Sequence, residues 1–366
     1  MEIDRIVSII SDPRKDKNRK YSLQELVLII FSSVISGYYE PDEMADFARL
    51  KLDWLRKFAP FEFRTPSHET LRYFLCAVKP SELIECFKRF VEHYSVSSQE
   101  NVISIDGKTM RGTDVAGESG IHVISAWSHE NGITLAALES EGKKNEIKMI
   151  PRLIDMLDVE GVTITTDAIG CQKEIAQKII DSKNHYVLQL KKNHKHLYAE
   201  IEAYYHKLLR EDFADTDCST YETIEKGHGR IEVRKYTQFV LSDWVEGREE
   251  WSGLSSVIRV ERTRIISEEE SLETSWYLSS LSVDVLKSAK AIRAHWGIEN
   301  GLHWCLDVIF EDDVCGMHSG WGPMNLSLIK RYCMNLLKLD SSKKRLKRKV
   351  MMAAMSDDYR QGALFG

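Results

Sequence analysis

NVISIDGK, Asn101 to Lys108, is the stretch from which the fold can be read. Val102, Ile103 and Ile105 predict a short buried strand. The strand ends on the carboxylate of Asp106, and Gly107 then turns the chain. A lone Asp before Gly reads equally well as a turn residue. The chain repeats the device, however: VTITTD, Val162 to Asp167, is a second apolar strand ending on an acid. A carboxylate at the tip of a buried strand is costly unless something pairs with it, and in an enzyme the usual partner is a metal ion. Further along, Glu299 falls within a helical pattern of apolar and aromatic residues. We therefore expect the scaffold to bring Asp106, Asp167 and Glu299 together.

The 366 residues suffice for two or three domains. A composition 43% hydrophobic and 29% charged is that of a globular protein. The richest apolar run, Val27 to Phe31, is far too short to span a membrane. The acidic start, MEIDRIVSIISDPRKD, predicts no signal peptide. Seven cysteines without a Cys-x-x-Cys pair predict reduced thiols in a cytoplasmic protein and argue against a structural zinc site. The net charge of −6 runs against an overall basic nucleic-acid binder. Local basic runs at 14–20, 191–195 and 343–349 would nevertheless supply DNA-facing strips.

Residues 1–98 read as an all-helical domain for DNA binding or dimerisation. Ser22 and Glu25 form a capping box before Leu23 to Ile35. Further helices follow Pro41, Ser67 (a candidate N-cap) and Pro80. This is either a helix-turn-helix reader or a packing domain, and no clearly basic recognition helix stands out. Strands then take over. VISID, His122 to Trp127 and Ile133 to Leu138 make three, with an Asn-Gly turn between the last two. An amphipathic helix, VTITTD, a second helix and Tyr186 to Leu190 follow. The order β-β-β-α-β-α-β predicts an α/β, ribonuclease-H-like (retroviral-integrase-like) catalytic core, its first part at 99–194. Residues 195–280 read as an α+β, mostly β insertion. Residues 281–340 hold the second part of the core, with a Glu299 helix from about Ser288 to Leu306. Residues 341–366 read as a basic tail.

Hard divalent cations such as Mg²⁺ bind carboxylate oxygen and keep exchangeable waters for phosphate. Two such ions can serve phosphodiester cleavage. Asp106 would bridge both ions, with Asp167 and Glu299 each holding one, and Lys108 could meet a phosphate. A rival reading places zinc on His295, Glu299 and His303, which are spaced four apart.

The chain resembles bacterial insertion-sequence transposases of the DDE class, specifically the H-repeat-associated protein family. The resemblance runs almost end to end: DPRKDKNRKYSLQELVLIIFSSVISG and TPSHETLRYFL near the N-terminus, then VISIDGKTMRG, HVISAW, NEIKMIPRLIDMLD, VTITTDAIGCQKEIAQKI, YVLQLKKN, KGHGRIEVRKY and RAHWGIENGLHWCLDVIFEDD. It implies a DNA transposase that binds terminal inverted repeats and performs Mg²⁺-dependent strand cleavage and transfer. Two ions are implied, with Mn²⁺ able to substitute. The motif match puts the catalytic, metal-holding acids on Asp106, Asp167 and Glu299. It also implies double-stranded DNA as partner and a homodimer on DNA. The wider superfamily places Tyr, Arg and Lys around its Glu; here those positions hold Ile292, His295 and Leu306, so those phosphate contacts do not transfer. Lys108, Lys191, Lys192, His228, Arg230, Arg293, His295 and His303 are the candidate DNA-facing residues. The alternative function is a domesticated, catalytically silent DNA-binding protein.

Overall fold

A computed structural model of the chain describes residues 2–93, 101–114, 120–140, 142, 145–227, 229–243, 245–267 and 269–365. Helices come first: α1 (Glu2–Ile9), α2 (Leu23–Ile35), α3 (Pro41–Leu50), α4 (Leu52–Leu55), α5 (His68–Ala77) and α6 (Pro80–His93). The capping box opens α2. Ser22 Oγ accepts from the Glu25 N–H at 3.1 Å, and the Glu25 carboxylate accepts from the Ser22 N–H at 2.7 Å. Glu25 is itself buried, and its other oxygen accepts from the Phe61 N–H at 2.5 Å. The same acid thus fixes both a helix start and the loop before α5. At α5, Ser67 occupies the N-cap position, but its hydroxyl meets Thr70 Oγ1 rather than a backbone N–H.

The predicted strands follow as β1 (Val102–Thr109), β2 (His122–Ser128), β3 (Ile133–Ser140), β4 (Thr163–Thr166) and β5 (His185–Leu190). Their order is β3-β2-β1-β4-β5. β2 and β3 are antiparallel neighbours, whereas β1, β4 and β5 run parallel. Parallel pairs need a crossover; α7 (Glu146–Met156) leads into β4 and α8 (Lys173–Asp181) into β5. Alternation along the strands sorts the side chains by face. Ile103, Ile105, Ile124 and Ile164 pack with Leu153 of α7, Ile175 of α8 and Ile201 of α9 (Lys195–Arg210). Val123, Trp127 and Ala137 join a different core, formed with the N-terminal helices.

The region predicted as an insertion extends this sheet. β6 (Cys218–Gly227), β7 (Arg230–Val240), β8 (Ser256–Ile266) and β9 (Glu269–Ser279) form an antiparallel meander. β9 then pairs antiparallel with β5, Val187 opposite Ser279. Among the described residues the result is one nine-stranded mixed sheet, β3-β2-β1-β4-β5-β9-β8-β7-β6.

The Glu299 segment differs from the single helix expected over 288–306. α10 (Val285–His295) starts earlier, with the Asp284 carboxylate accepting from the Lys287 N–H at 3.0 Å. Residues 299–303 then form a π-helical turn before α11 (Trp304–Val308). Two contacts account for the widening. Gly301 lies so close to the Trp127 indole that a Cβ there would collide with it, and Lys338 Nζ donates to the Gly301 carbonyl at 2.6 Å. Lys338 belongs to α12 (Gly322–Leu339). Residues read as a basic tail include two further helices, α13 (Leu346–Met355) and α14 (Asp357–Phe365). Val350, Ala353 and Leu364 place these in the core of α2 and α12. The charges at 343–349 hid that apolar face from a periodicity reading. Among the described residues, no helix is long and apolar enough to cross a membrane.

Candidate active site

The register of β1 and β4 sets the first two acids side by side. Ile105 lies opposite Thr166, so Asp106 and Asp167 follow side by side where the β1–β4 pairing ends. Asp167 comes just past β4, but β1 runs on to Thr109 against β2, so Gly107 lies within the strand rather than in the expected turn. Ligand sites of open α/β sheets form at the carboxyl ends of parallel strands. Gly107 makes room directly after Asp106, since a Cβ there would run into the His122 imidazole. That imidazole is buried, 3.3 Å from Glu146 and 2.9 Å from Thr109 Oγ1.

The third acid arrives from the other side. Buried polar contacts pin α10 to the sheet: Ser104 Oγ donates to the Ala294 carbonyl at 3.4 Å, and His295 Nδ1 lies 3.2 Å from Thr165 Oγ1. The π turn then presents Glu299 and His303 together. His303 Nδ1 lies 3.2 Å from Glu299 Oε2 and 3.7 Å from Asp106 Oδ2. Ligand atoms of Asp106, Glu299 and His303 all fall within 4.8 Å of one another. His303 is buried, and its Nε2 has no hydrogen-bond partner. Asp167 lies outside this tight group: its Oδ1 accepts from the N–H groups of Ile169, at 2.9 Å, and Gly170, at 3.3 Å.

The electrostatics fit a place for a cation. Burial pushes the Asp106 carboxyl up to about 6; the neighbouring His303 opposes that shift and the charge of Asp167 adds to it. Glu299, more exposed, is held below the usual carboxylate range, chiefly by its hydrogen bond to His303. Burial also pushes His295 down to about 4. Two carboxylates and an imidazole are suitable ligands for Mg²⁺ or Mn²⁺, although nitrogen favours the softer ion. The costly desolvation of Asp106 is what a bound cation would relieve.

The other candidate residues are placed differently. Lys108, expected at a phosphate, is only 7% exposed and lies 2.6 Å from both Asp307 and Asp313. It shares the face of Asp106, two residues back along β1, but the carboxylates of Asp307 and Asp313 take up its ammonium. His295 is bound to Thr165 and stands apart from Glu299 and His303, so the zinc trio does not assemble among the described residues. Glu299 and His303 do meet across the π turn, but α10 ends at His295 with its C-cap at Trp296, so His295 is held at the sheet while the other two turn away from it. Arg293 pairs with Glu225 at 3.2 Å, and Arg230 with Glu232 at 2.8 Å. Both arginines remain partly exposed, and Lys191 and Lys192 are exposed. His228 lies outside the described residues. Sequence reasoning missed the grouping of His303 with Asp106, and missed Lys338, whose lysine-to-carbonyl contact leaves no local pattern.

Acids that follow the last paired residues of two adjacent parallel strands, met by a third acid from a helix, define a mixed α/β protein with a candidate divalent-metal site. Comparison with known proteins carries this further. Residues 97–318 match the family described as "Transposase DDE domain", and residues 5–91 match "DDE_Tnp_1-associated". The chain belongs to the DDE transposase family. It is 34% identical to "H repeat-associated putative transposase YhhI" of Escherichia coli strain K12, over 100% of this chain and 99% of that one. It is equally similar, with the same coverage, to YbfL of the same strain. Among solved structures, a piggyBac transposase synaptic complex with hairpin DNA aligns with TM-score 0.47 and 10% identity, over 98% of this chain and 79% of that one.

Proposed function

We propose that this chain is a DNA transposase whose ribonuclease-H-like core cleaves and joins strands at transposon ends. Family membership supports the class. The observation that carries the reading to these residues is the meeting of Asp106 with Glu299 and His303 beside Asp167. In this reading 2–93 form a helical module ahead of the core, and β6–β9 the inserted part of the catalytic domain. Asp106, Asp167 and Glu299 would hold the divalent ions, two Mg²⁺ in this reading, which would supply polarisation of the attacking oxygen and offset charge on the leaving one. The chain's own part is positional. The paired strands fix the two aspartates, the π turn sets Glu299 across from them, and His303 holds the Glu299 carboxylate until metal and DNA arrive. Exposed Lys191 and Lys192, with Arg230 and Arg293, lie along the sheet to receive phosphates. Terminal inverted repeats are the bound DNA, and a dimer holds two ends.

Nicking of a labelled duplex carrying the DNA that flanks this gene tests the proposal. Cuts at a repeat boundary that need Mg²⁺, stop with EDTA and vanish in Glu299→Gln are expected. Asp106→Asn and Asp167→Asn should each lose cleavage at least 10³-fold while retaining DNA binding. Tight repeat binding without metal-dependent cuts would instead support the catalytically silent DNA-binding reading.

A further inference from the structure

The run Lys343–Lys349 contains six basic residues, and the structure sorts them into two kinds. Lys349 turns inward. It is buried, donates to the carbonyls of Leu337 at 2.9 Å and Asp340 at 2.7 Å, and lies 3.6 Å from the Asp340 carboxylate. Asp340 in turn accepts from the Ser342 N–H at 3.0 Å, the Ser342 hydroxyl at 2.6 Å and the Tyr359 hydroxyl at 2.6 Å. The link between α12 and α13 is therefore a braced loop. From it Lys343, Lys344, Arg345, Lys347 and Arg348 all point to solvent.

The two basic runs near the chain ends behave differently. In the N-terminal run, Arg14 is buried against Asp12, and Arg19 pairs with both Asp12 and Asp16. No ion pair or side-chain hydrogen bond involves the five outward cations of the second run among the described residues. They also stand at or before the first turn of α13, which contains no acid. Cations there oppose the helix dipole and repel one another. The braced loop keeps five charges together where local electrostatics would spread them, in a protein of net charge −6. Such an arrangement is relieved by a polyanion, and the free N–H groups at the start of α13 add donors for it.

We infer that the Lys343–Arg348 surface is a second DNA contact, one that grips the phosphate backbone without reading sequence. The choice of DNA as the polyanion rests on the functional reading above. Ammonium and guanidinium groups both neutralise phosphates, and five of them together on one exposed surface make the kind of backbone contact that positions a duplex. Met351 and Met355 are the exposed apolar side chains of α13, so anionic vesicles serve as the competing polyanion in the test.

The test is fluorescence anisotropy of the full chain with duplexes of unrelated sequence, in EDTA, across a salt series. The Lys343→Gln/Lys344→Gln/Arg345→Gln/Lys347→Gln/Arg348→Gln variant should bind every duplex at least about tenfold more weakly. Its plot of log affinity against log salt should flatten by about 0.9 for each phosphate that the variant no longer neutralises. Arg89→Gln, at an exposed arginine already paired with Glu85, should change neither. The pair Lys343→Gln/Lys344→Gln, which leaves α13 intact, should show a smaller effect of the same kind if the fivefold variant misfolds. An unchanged slope and affinity would overturn the inference. So would a loss confined to anionic vesicles with DNA binding intact. Because no cleavage is measured, failure of the nuclease reading and failure of this one are separately visible.

Discussion

His303 Nδ1 lies 3.2 Å from Glu299 Oε2, so an imidazole one π turn further along the chain holds the carboxylate that faces Asp106. His303 is buried while Glu299 is largely exposed. The hydrogen bond therefore restrains the mobile partner from the fixed one. His303→Ala should release Glu299, and its carboxyl should titrate closer to the ordinary glutamate range because the main lowering cause is gone. Mn²⁺ affinity should fall about tenfold, the scale seen when a group orienting metal ligands is removed. Carbon-detected NMR titration and calorimetry read the two effects. An unmoved Glu299 titration would remove His303 from this role.

The raised pKa of Asp106 carries a stability signature. Its folded value, about 6, exceeds the unfolded value near 3.8, so the folded state holds the proton more tightly. Stability from this group is present below about pH 4 and lost as pH rises through 6. At 1.36 kcal/mol per unit, the cost at pH 7–8 is on the order of 2–3 kcal/mol. Without metal, Asp106→Asn should therefore melt a few degrees above the parent chain at pH 7.5, with the advantage gone by pH 4. Equal melting temperatures at pH 7.5 would contradict the burial argument.

Lys338 is a positioning residue for the π turn. Its Nζ caps the Gly301 carbonyl and lies 4.0 Å from the Trp127 ring centroid. Lys338→Met keeps most of the volume but removes both interactions. Metal affinity should fall several-fold with the global fold retained. Burial pushes the lysine down to about 8. Its folded pKa is below the unfolded one, so the parent chain should gain stability from pH 8 towards pH 10.5. The variant should lack that gain; a variant with undiminished metal affinity would show that Gly301 needs no such anchor.

Gly107→Ala tests the space behind Asp106. The added Cβ would meet the His122 imidazole, which is enclosed with Glu146 and cannot simply swing away. Overpacking of this kind costs about 1–3 kcal/mol. A urea midpoint that falls accordingly is expected, and an unchanged midpoint would mean that the His122–Glu146 pair is free to move.

Much of the core and part of the site were legible in local patterns. β1 and β4 announce themselves as short runs rich in β-branched Val, Ile and Thr, the residues that fit a pleated, buried strand. The Ser22–Glu25 capping box and the turn before Gly132 are contiguous signals, and both form. Glu299 stood out as an acid inside an apolar helical stripe. The pairing of β9 with β5 was not legible, since no short-range pattern says whether an inserted meander stands apart or extends the sheet.

The sequence by itself determined where the strands and most helices lie, and that Asp167 follows β4; it did not show that β1 continues past Asp106 to Thr109. The placements it determined depend on periodicity, caps and turns that act over a few residues. The tertiary structure alone decided that Lys108 is shut away between Asp307 and Asp313 and that His295 bonds to Thr165. It alone opened the Glu299 helix into a π turn, bringing His303 to Asp106. Each outcome depends on partners far apart in the chain, such as Lys338 on Gly301. The packing of α12 against the sheet sets those distances, and the chain's local pattern does not encode them.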